Sequence, residues 1–526
     1  MNKKNTIAQS TLAIIIFSLI GKVMGFARET MQAAIFGATH EASAFVLAQG
    51  ATSMISTLIT TAIATTFIPV MQKVERELGD DHRLSYTNNL IWISLIITTF
   101  VTVLGIFFSP YIAKLTAAQA RPETYKLVVE LVEVGMPVVI FSAIVGVFTG
   151  FLQYGGKFAA AGAIAIPLNL VYIIYLACFS KTFGVLGLTV ASVLAVFVQI
   201  IFLMPSSFKI GFRPKFIVNF KDRYVREAVI LSLPVLVSTS VNDINVFVNR
   251  NLASGMSDSA PAILNVSNKM NTLILGIFIT AVTAIIFPIL ARSFSDGDVL
   301  KGKKVMNASI KSVLFLTIPA TVGMFILARP IIDIAFVHGK FTPADGMEAT
   351  STLRCYSLAL ISISLSNVLN RVYYSLEDTK TPFYIGVINV AINVGLNLLV
   401  AHKFGTQGLA ASVSIATTIA VLISFYLLHK KIGNLGTKSY IKAIIKTGIS
   451  SFLMGLVAFI YFPMENIVCS VFSSNAALTV TKLICLMIVV GLALVVYLVS
   501  MYLLGVREIR DITKIIKKKI KNKFAK

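Results

Sequence analysis

Long apolar stretches separated by short polar or charged breaks run the length of the chain, and nearly every stretch exceeds the roughly 20 residues that a helix needs to cross a bilayer. About fourteen such segments stand out, near 7–38, 42–72, 86–116, 127–153, 158–181, 184–207, 226–254, 259–292, 307–337, 348–376, 381–402, 405–430, 440–463 and 477–504. Several are longer than a minimal span, as tilted or bent helices that protrude from the bilayer are. The pattern predicts an all-α polytopic membrane protein with about 14 transmembrane helices. The first segment follows Lys3 and Lys4 in the manner of a signal peptide. It runs on through Gly25 and Phe26 into Ile35 without a small-residue cleavage site, which makes it a retained helix.

An internal repeat organises these segments. TAIATTFIP at Thr61–Pro69 returns as TAVTAIIFP at Thr280–Pro288, and FGVLGL at Phe183–Leu188 returns as FGTQGL at Phe404–Leu409, at offsets of 219 and 221 residues. A third pair of short polar turns, YGGKF at Tyr154–Phe158 and LEDTKTP at Leu376–Pro382, falls in the same register. Each turn enters a helix bearing Asn169 or Asn389 and Asn393. Each copy holds six segments, an even number, so both insert with the same orientation about an axis along the membrane normal. The expected organisation is an N-lobe at 1–208, a basic linker at 209–225, a C-lobe at 226–431, two added helices at 432–505 and a basic tail at 506–526. Two pseudo-symmetric six-helix lobes of this kind support alternating access, rocking about a site near the midplane.

Composition agrees with this reading, since 56% hydrophobic residues against 13% charged ones is more apolar surface than a soluble core uses. A formal charge of +23 would point to nucleic acid in a soluble chain. Here the Lys and Arg gather in short loops and at the end, where they set topology and meet anionic headgroups, and no nucleic-acid partner is expected. With a cytoplasmic N-terminus, the cytoplasmic connections collect Lys73, Arg76 and Arg83; Lys209, Arg213, Lys215, Lys221, Arg223 and Arg226; Arg292, Lys301, Lys303 and Lys304; and Lys430, Lys431 and Lys438. The opposite loops are poor in cations, with none around Thr39–Ala42, Ser257–Ala260 or Glu465–Ala476 and only Lys181 near the fifth and sixth segments. This alternation puts both termini in the cytoplasm. Val506–Lys526 reads as a stop-transfer segment and anchor for anionic lipids, with a partner-binding tail as the alternative. Cys178, Cys355, Cys469 and Cys485 sit singly in apolar runs, without the spacing of a zinc site or a disulfide framework.

Ionisable residues inside apolar segments are costly and mark functional interiors. Lys22, Arg28 and Glu29 fall in the first segment, where positions 22, 25, 26 and 29 share a helix face thinned by Gly25. The seventh segment brings Asn242, Asp243, Asn245, Asn249 and Arg250, the eighth Asn265, Asn268 and Lys269, and the tenth Arg354. The set is mostly cationic. Lys22, Arg28 and Lys269 lie deepest by count; Arg250 and Arg354 suit either a site or an internal pair and a snorkelling contact. Glu29 is better placed to order Arg28 or Lys22 than to bind a substrate. The face of Thr52, Ser53, Ser56, Thr57, Thr60 and Thr61 suits helix packing as well as a polar cavity wall. Cations in a cavity call for an anion, and phosphate oxygens match both Arg forks and Lys point charges. No GxxxxGK[ST] motif is present, so the energy source is a gradient or the membrane potential. No nucleophile–base pair stands out either, and the expected class is a facilitator or secondary transporter rather than an enzyme, with no cofactor beyond a coupling Na+ or H+.

Specific motifs now add a family. GKVMGFARE at Gly21–Glu29, IFGA at Ile35–Ala38, FIPV at Phe67–Val70, FPILAR at Phe287–Arg292, HGKFTPAD at His338–Asp345 and EDTKTP at Glu377–Pro382 occur in order along the chain. Together they resemble the MurJ (MviN-type) lipid II flippases of the multidrug/oligosaccharidyl-lipid/polysaccharide exporter superfamily. The resemblance implies a flippase of the cytoplasmic membrane that moves undecaprenyl-pyrophosphate-linked peptidoglycan precursor to the outer leaflet. It also implies that the cavity cations hold the pyrophosphate and sugar and that the last two helices form a groove for the lipid tail; cell-wall synthesis proteins are candidate partners. Lys22 and Lys269 stand where members often carry Arg, Ser43 where an acid is common, and Ile55 and Ser56 where some members carry an Arg pair. The alternatives are a flippase for another polyprenyl-pyrophosphate oligosaccharide, which needs the same cations, and a drug/cation antiporter of the same superfamily, which should line its cavity with carboxylates. A scaffold for cell-wall enzymes has only the basic tail in its favour.

Overall fold

The computed structural model describes residues 3–80, 82–295, 298–471 and 475–506, with side chains described outside 3–15 and most of 233–243, 277–299 and 468–477. The basic tail beyond Val506 lies outside the described residues. Regular structure among the described residues is α-helical throughout. In chain order the helices are α1 Lys3–Phe36, α2 His40–Leu78, α3 His82–Phe107, α4 Ser109–Ala117, α5 Pro122–Gly135, α6 Val138–Tyr154, α7 Phe158–Gly162, α8 Ala165–Cys178, α9 Ser180–Lys209 and α10 Arg223–Ser254. They continue as α11 Ala260–Ser295, α12 Val299–Phe336, α13 Pro343–Ser357, α14 Ala359–Ser375, α15 Lys380–Ile432, α16 Thr437–Ala458, α17 Tyr461–Val471 and α18 Asn475–Leu503.

Each expected apolar segment falls on one of these helices or on an adjoining pair. Among the described residues nine helical stretches are long and apolar enough to cross a membrane, or ten when α5 and α6, bent by 43° at their junction, count as one span. The count of fourteen stays an expectation. The third, fourth, fifth, tenth and thirteenth segments are broken into pairs, α3/α4, α5/α6, α7/α8, α13/α14 and α16/α17, and Pro110 and Pro122 sit at the first turns of α4 and α5, where a missing N–H costs nothing. Large apolar side chains lie bare on several of these helices, with Phe107 76%, Met487 68% and Leu503 74% exposed. In water this surface would aggregate; in hydrocarbon it is solvated.

The chain packs as two compact units, Met1–Val266 with His338–Thr342, and Ser267–Val337 with Pro343–Lys526. This is a division by packing, and it leaves the repeat-based lobes an expectation. In the first unit, one core cluster gathers Phe45, Leu131, Met136 and Leu188, and another Phe67, Phe148, Phe151 and Leu203. The second unit packs Leu314, Leu369, Tyr373 and Leu428 as its largest cluster.

The repeat is visible in the backbone. Gly184 (φ 55°, ψ −144°) and Gly405 (φ 54°, ψ −138°) break α9 and α15 at the matching FG positions, in a conformation open only to glycine. A straight 53-residue helix would be about 80 Å long. Instead Lys431 at the end of α15 lies 2.5 Å from Asp378, just before its start, so α15 folds back on itself at Gly405. The polar turns match too. Gly156 (φ 73°) and Glu377 (φ 58°) occupy the same left-handed position 221 residues apart. The Lys157 and Asp378 N–H groups donate to the Leu152 and Tyr373 carbonyls (2.8 and 3.0 Å), and those of Gly155 and Leu376 to Phe151 and Val372 (2.9 and 3.1 Å). A further match escaped the sequence reading. Lys209-Ile210-Gly211 and Lys431-Ile432-Gly433 end the two hairpins, and both glycines have positive φ.

Candidate substrate site

In the first unit, the packing of α1 against α8 positions the ionisable candidates of α1. Gly21 brings α1 so close to α8 that a Cβ there would overlap Ala165, and the Asn169 side chain of α8 donates to the Gly21 carbonyl at 3.0 Å. One helical turn on, Gly25 again faces Asn169. This close approach fixes the rotation of α1 and with it the direction of the next turns. Arg28 then forms an ion pair with Glu29 at 2.5 Å, with side chains only 14% and 11% exposed. The guanidinium also sits over the Tyr172 ring of α8, 4.7 Å from its centroid, a cation–π contact strengthened by the dry surroundings. Gln49 of α2 donates to the Tyr172 hydroxyl at 3.1 Å, so α1, α2 and α8 converge on this group. The buried Nε of Arg28 has no hydrogen-bond partner among the described residues. A guanidinium neutralised on one side and carrying an unused donor is set up to meet an anionic oxygen.

Lys22 is half-buried six residues earlier on α1. Glu29 lines a small cavity together with Gln32, Gly37, Val46 and Asn265. On α10, Asn249 and Arg250 are half-buried, and the Arg250 guanidinium lies directly over Gly50 of α2, where any Cβ would collide with it. The Asp243 side chain lies outside the described residues. Ser56 and Thr60 use their hydroxyls structurally: Ser56 donates to the Ser53 carbonyl at 3.0 Å, and Thr60 to the Ser142 carbonyl of α6 at 3.2 Å.

In the second unit, α11 presents Asn268 exposed and Lys269 half-buried. The neighbouring Ser267 donates to the Ala349 carbonyl of α13 at 3.0 Å, which fixes this part of α11. Arg354 of α13 donates from Nε to the Phe325 carbonyl of α12 at 3.2 Å and lies 5.8 Å from the Phe325 ring centroid. Sequence reasoning missed Tyr172 and Gln49. A glutamine in an apolar span is a weak signal that was available, whereas a tyrosine among apolar neighbours gives none.

A family model for lipid II flippase MurJ matches residues 32–481. The candidates Lys22, Arg28 and Glu29 lie just before that stretch. "Probable lipid II flippase MurJ" of Vibrio cholerae is 28% identical over 95% of this chain and 96% of its own length. The protein of the same description from Rhizobium tropici is 27% identical over 95% of each. Among solved structures, a lipid II flippase MurJ in an inward closed conformation is 20% identical with a TM-score of 0.74, over 93% of this chain and 98% of that one. An inward-facing multidrug resistance MATE transporter of the MOP superfamily is 15% identical with a TM-score of 0.65, over 80% and 99%. These two establish a shared fold. The apolar helices and the matched stretch describe a multi-pass membrane protein, and the chain belongs to the lipid II flippase MurJ family.

Proposed function

We propose that this chain is a lipid II flippase. It moves the undecaprenyl-pyrophosphate-linked peptidoglycan precursor across the cytoplasmic membrane by alternating access of its two six-helix repeats, with both termini in the cytoplasm. Family membership across residues 32–481 supports the substrate class. The observation that carries the chemistry is Arg28, a buried guanidinium held by Glu29 and Tyr172 with its Nε donor unused.

In this reading Lys22, Arg28 and Lys269 neutralise the pyrophosphate, with Arg250 and Arg354 as further contacts to the headgroup. Ser56, Thr60, Asp243, Asn249 and Asn268 supply polar surroundings. Glu29 keeps Arg28 oriented and prevents an unneutralised charge from facing hydrocarbon in the empty state. The headgroup enters from the cytoplasmic side, closure shuts that side, and outward opening releases it. Coupling to Na+ or H+, or to the membrane potential at about 2.3 kcal/mol per charge per 100 mV, drives the cycle. Helices α16 to α18 accommodate the lipid tail, and the C-terminal tail meets anionic lipids.

The test is headgroup translocation in proteoliposomes by the full chain and by Lys22→Ala and Lys269→Ala, with and without each gradient. Translocation of lipid II that each substitution abolishes, with the protein still inserted, is the expected result. Full activity in both variants would remove the cationic site, and transport of a different polyprenyl-pyrophosphate glycan in preference to lipid II would replace the substrate.

A further inference from the structure

The connection between α9 and α10 is not a loose loop. Residues 212–219 run without helix along the first turns of α3, held by side chains that span both of the strap's backbone polar groups. Asn88 donates from Nδ2 to the Arg213 carbonyl (2.9 Å) while its Oδ1 accepts from the Lys215 N–H (2.8 Å). Asn89 does the same further on, donating to the Asn219 carbonyl (3.1 Å) and accepting from the Asn219 N–H (2.8 Å). The Trp92 Nε1–H donates to the Lys215 carbonyl (2.9 Å), and its ring meets Phe216 edge-on at 4.8 Å. Asp222 accepts from Asn89 and from the first N–H groups of α10, closing the strap at its far end. Both asparagines are buried, so a shift of register would strand two amides inside the protein.

A strap pinned this firmly displays an unusual outer face. Phe216 is 75% exposed and Phe220 59% exposed, and Arg213, Lys215, Lys221 and Arg223 around them are exposed as well. The single acid among them, Asp222, is turned inward onto Asn89 and the α10 cap. The height of the strap is also informative. The 26 residues of α3 extend about 39 Å, longer than the ~30 Å hydrocarbon layer, and Asn88 to Trp92 begin about 9 Å from its start. Aromatic rings between cations at that depth match the boundary between headgroups and acyl chains.

We infer that residues 212–223 are an interfacial anchor that reads the charge of the lipid surface. Phe216 and Phe220 seat in the headgroup–acyl boundary, and Arg213, Lys215, Lys221 and Arg223 engage anionic phospholipid headgroups. The anchor is independent of the transported substrate and stands or falls apart from the proposed cationic site.

Trp92 is the only tryptophan in the chain and touches the strap, so its fluorescence reports on this element alone. The experiment places the full chain in phosphatidylcholine nanodiscs with or without phosphatidylglycerol, with lipids brominated at shallow or deep positions. Shallow bromines are expected to quench Trp92 more than deep ones, and quenching is expected to increase with phosphatidylglycerol. The combined Arg213→Gln, Lys215→Gln, Lys221→Gln and Arg223→Gln variant should lose that increase. Hydrogen exchange at the Lys215 and Asn219 amides of the unaltered chain gives a second reading that needs no variant, and it should slow when phosphatidylglycerol is present. Quenching and exchange that are both indifferent to lipid charge would overturn the inference, as would a Trp92 that no bromine reaches, the result expected of a face that binds a soluble protein.

Discussion

Arg28 and Glu29 illustrate how a charge survives in an apolar helix: each is the other's counter-ion, and the Tyr172 ring covers the pair. Removing Glu29 strips the buried Arg28 guanidinium of its carboxylate partner, at a cost of about 3–5 kcal/mol. Glu29→Ala alone should therefore lower the unfolding temperature in detergent, and adding Arg28→Ala should restore most of the loss without restoring translocation. Restored transport in the double variant would show that Arg28 serves the fold alone. Asp378 offers a test outside the membrane-spanning segments. Burial raises its carboxyl, but the Lys431 ammonium and the Thr381 N–H and hydroxyl outweigh that and hold it down at about 2. A depressed carboxylate contributes stability in full above its ordinary value of 3.8, and that contribution disappears as the pH falls through about 2. Asp378→Asn should thus be less stable than the unaltered chain by a constant margin from neutrality down to about pH 4, with the gap closing below that in thermal unfolding. At this scale the sequence singled out Lys22 and Arg28 as candidates, because ionisable residues in an apolar run are rare and costly. It hid Tyr172, and it hid the partnership of Asp378 with a lysine that follows 53 residues later, because contacts across a fold-back leave no local trace.

Helices and turns were more legible than side-chain partners. The FG pairs at Phe183 and Phe404 marked the places where two hairpins reverse, and the structure puts the same rare glycine conformation at both. Gly184→Ala and Gly405→Ala should each cost about 1–3 kcal/mol in denaturant unfolding, since open space around both glycines leaves backbone strain as the main penalty. Glu377 does in the second turn what Gly156 does in the first, with a side chain in the left-handed region. Glu377→Gly should raise the unfolding midpoint modestly, the strain relieved being about 1–2 kcal/mol before the added chain entropy of glycine is subtracted. Breaks inside spans were harder to foresee. The bend between α5 and α6 falls at Met136 and Pro137, inside a stretch that hydropathy reads as one segment despite Glu130 and Glu133. The strap at 212–219 was equally hidden, because Asn88 and Asn89 look like polar residues near the end of a span until their backbone partners, more than a hundred residues away, are in place.

For the whole molecule, the all-helical membrane architecture could be inferred from hydropathy alone, whereas the packing of α10 with the first unit could not, since its sequence marks it as the opening helix of the second copy. Transport belongs to this scale. Imposing a membrane potential on proteoliposomes should change the rate of headgroup translocation, and a rate that ignores both potential and ion gradients would identify a passive facilitator. The paired turns carry one more consequence. Their hydrogen bonds superimpose at a constant spacing although few of their residues agree. The two copies share a turn geometry while most of their letters differ. The two hairpins should then behave as interchangeable cassettes: transplanting the Leu376–Pro382 linkage in place of the turn at Tyr154–Phe158 ought to yield a chimaera that still inserts and turns at the same point.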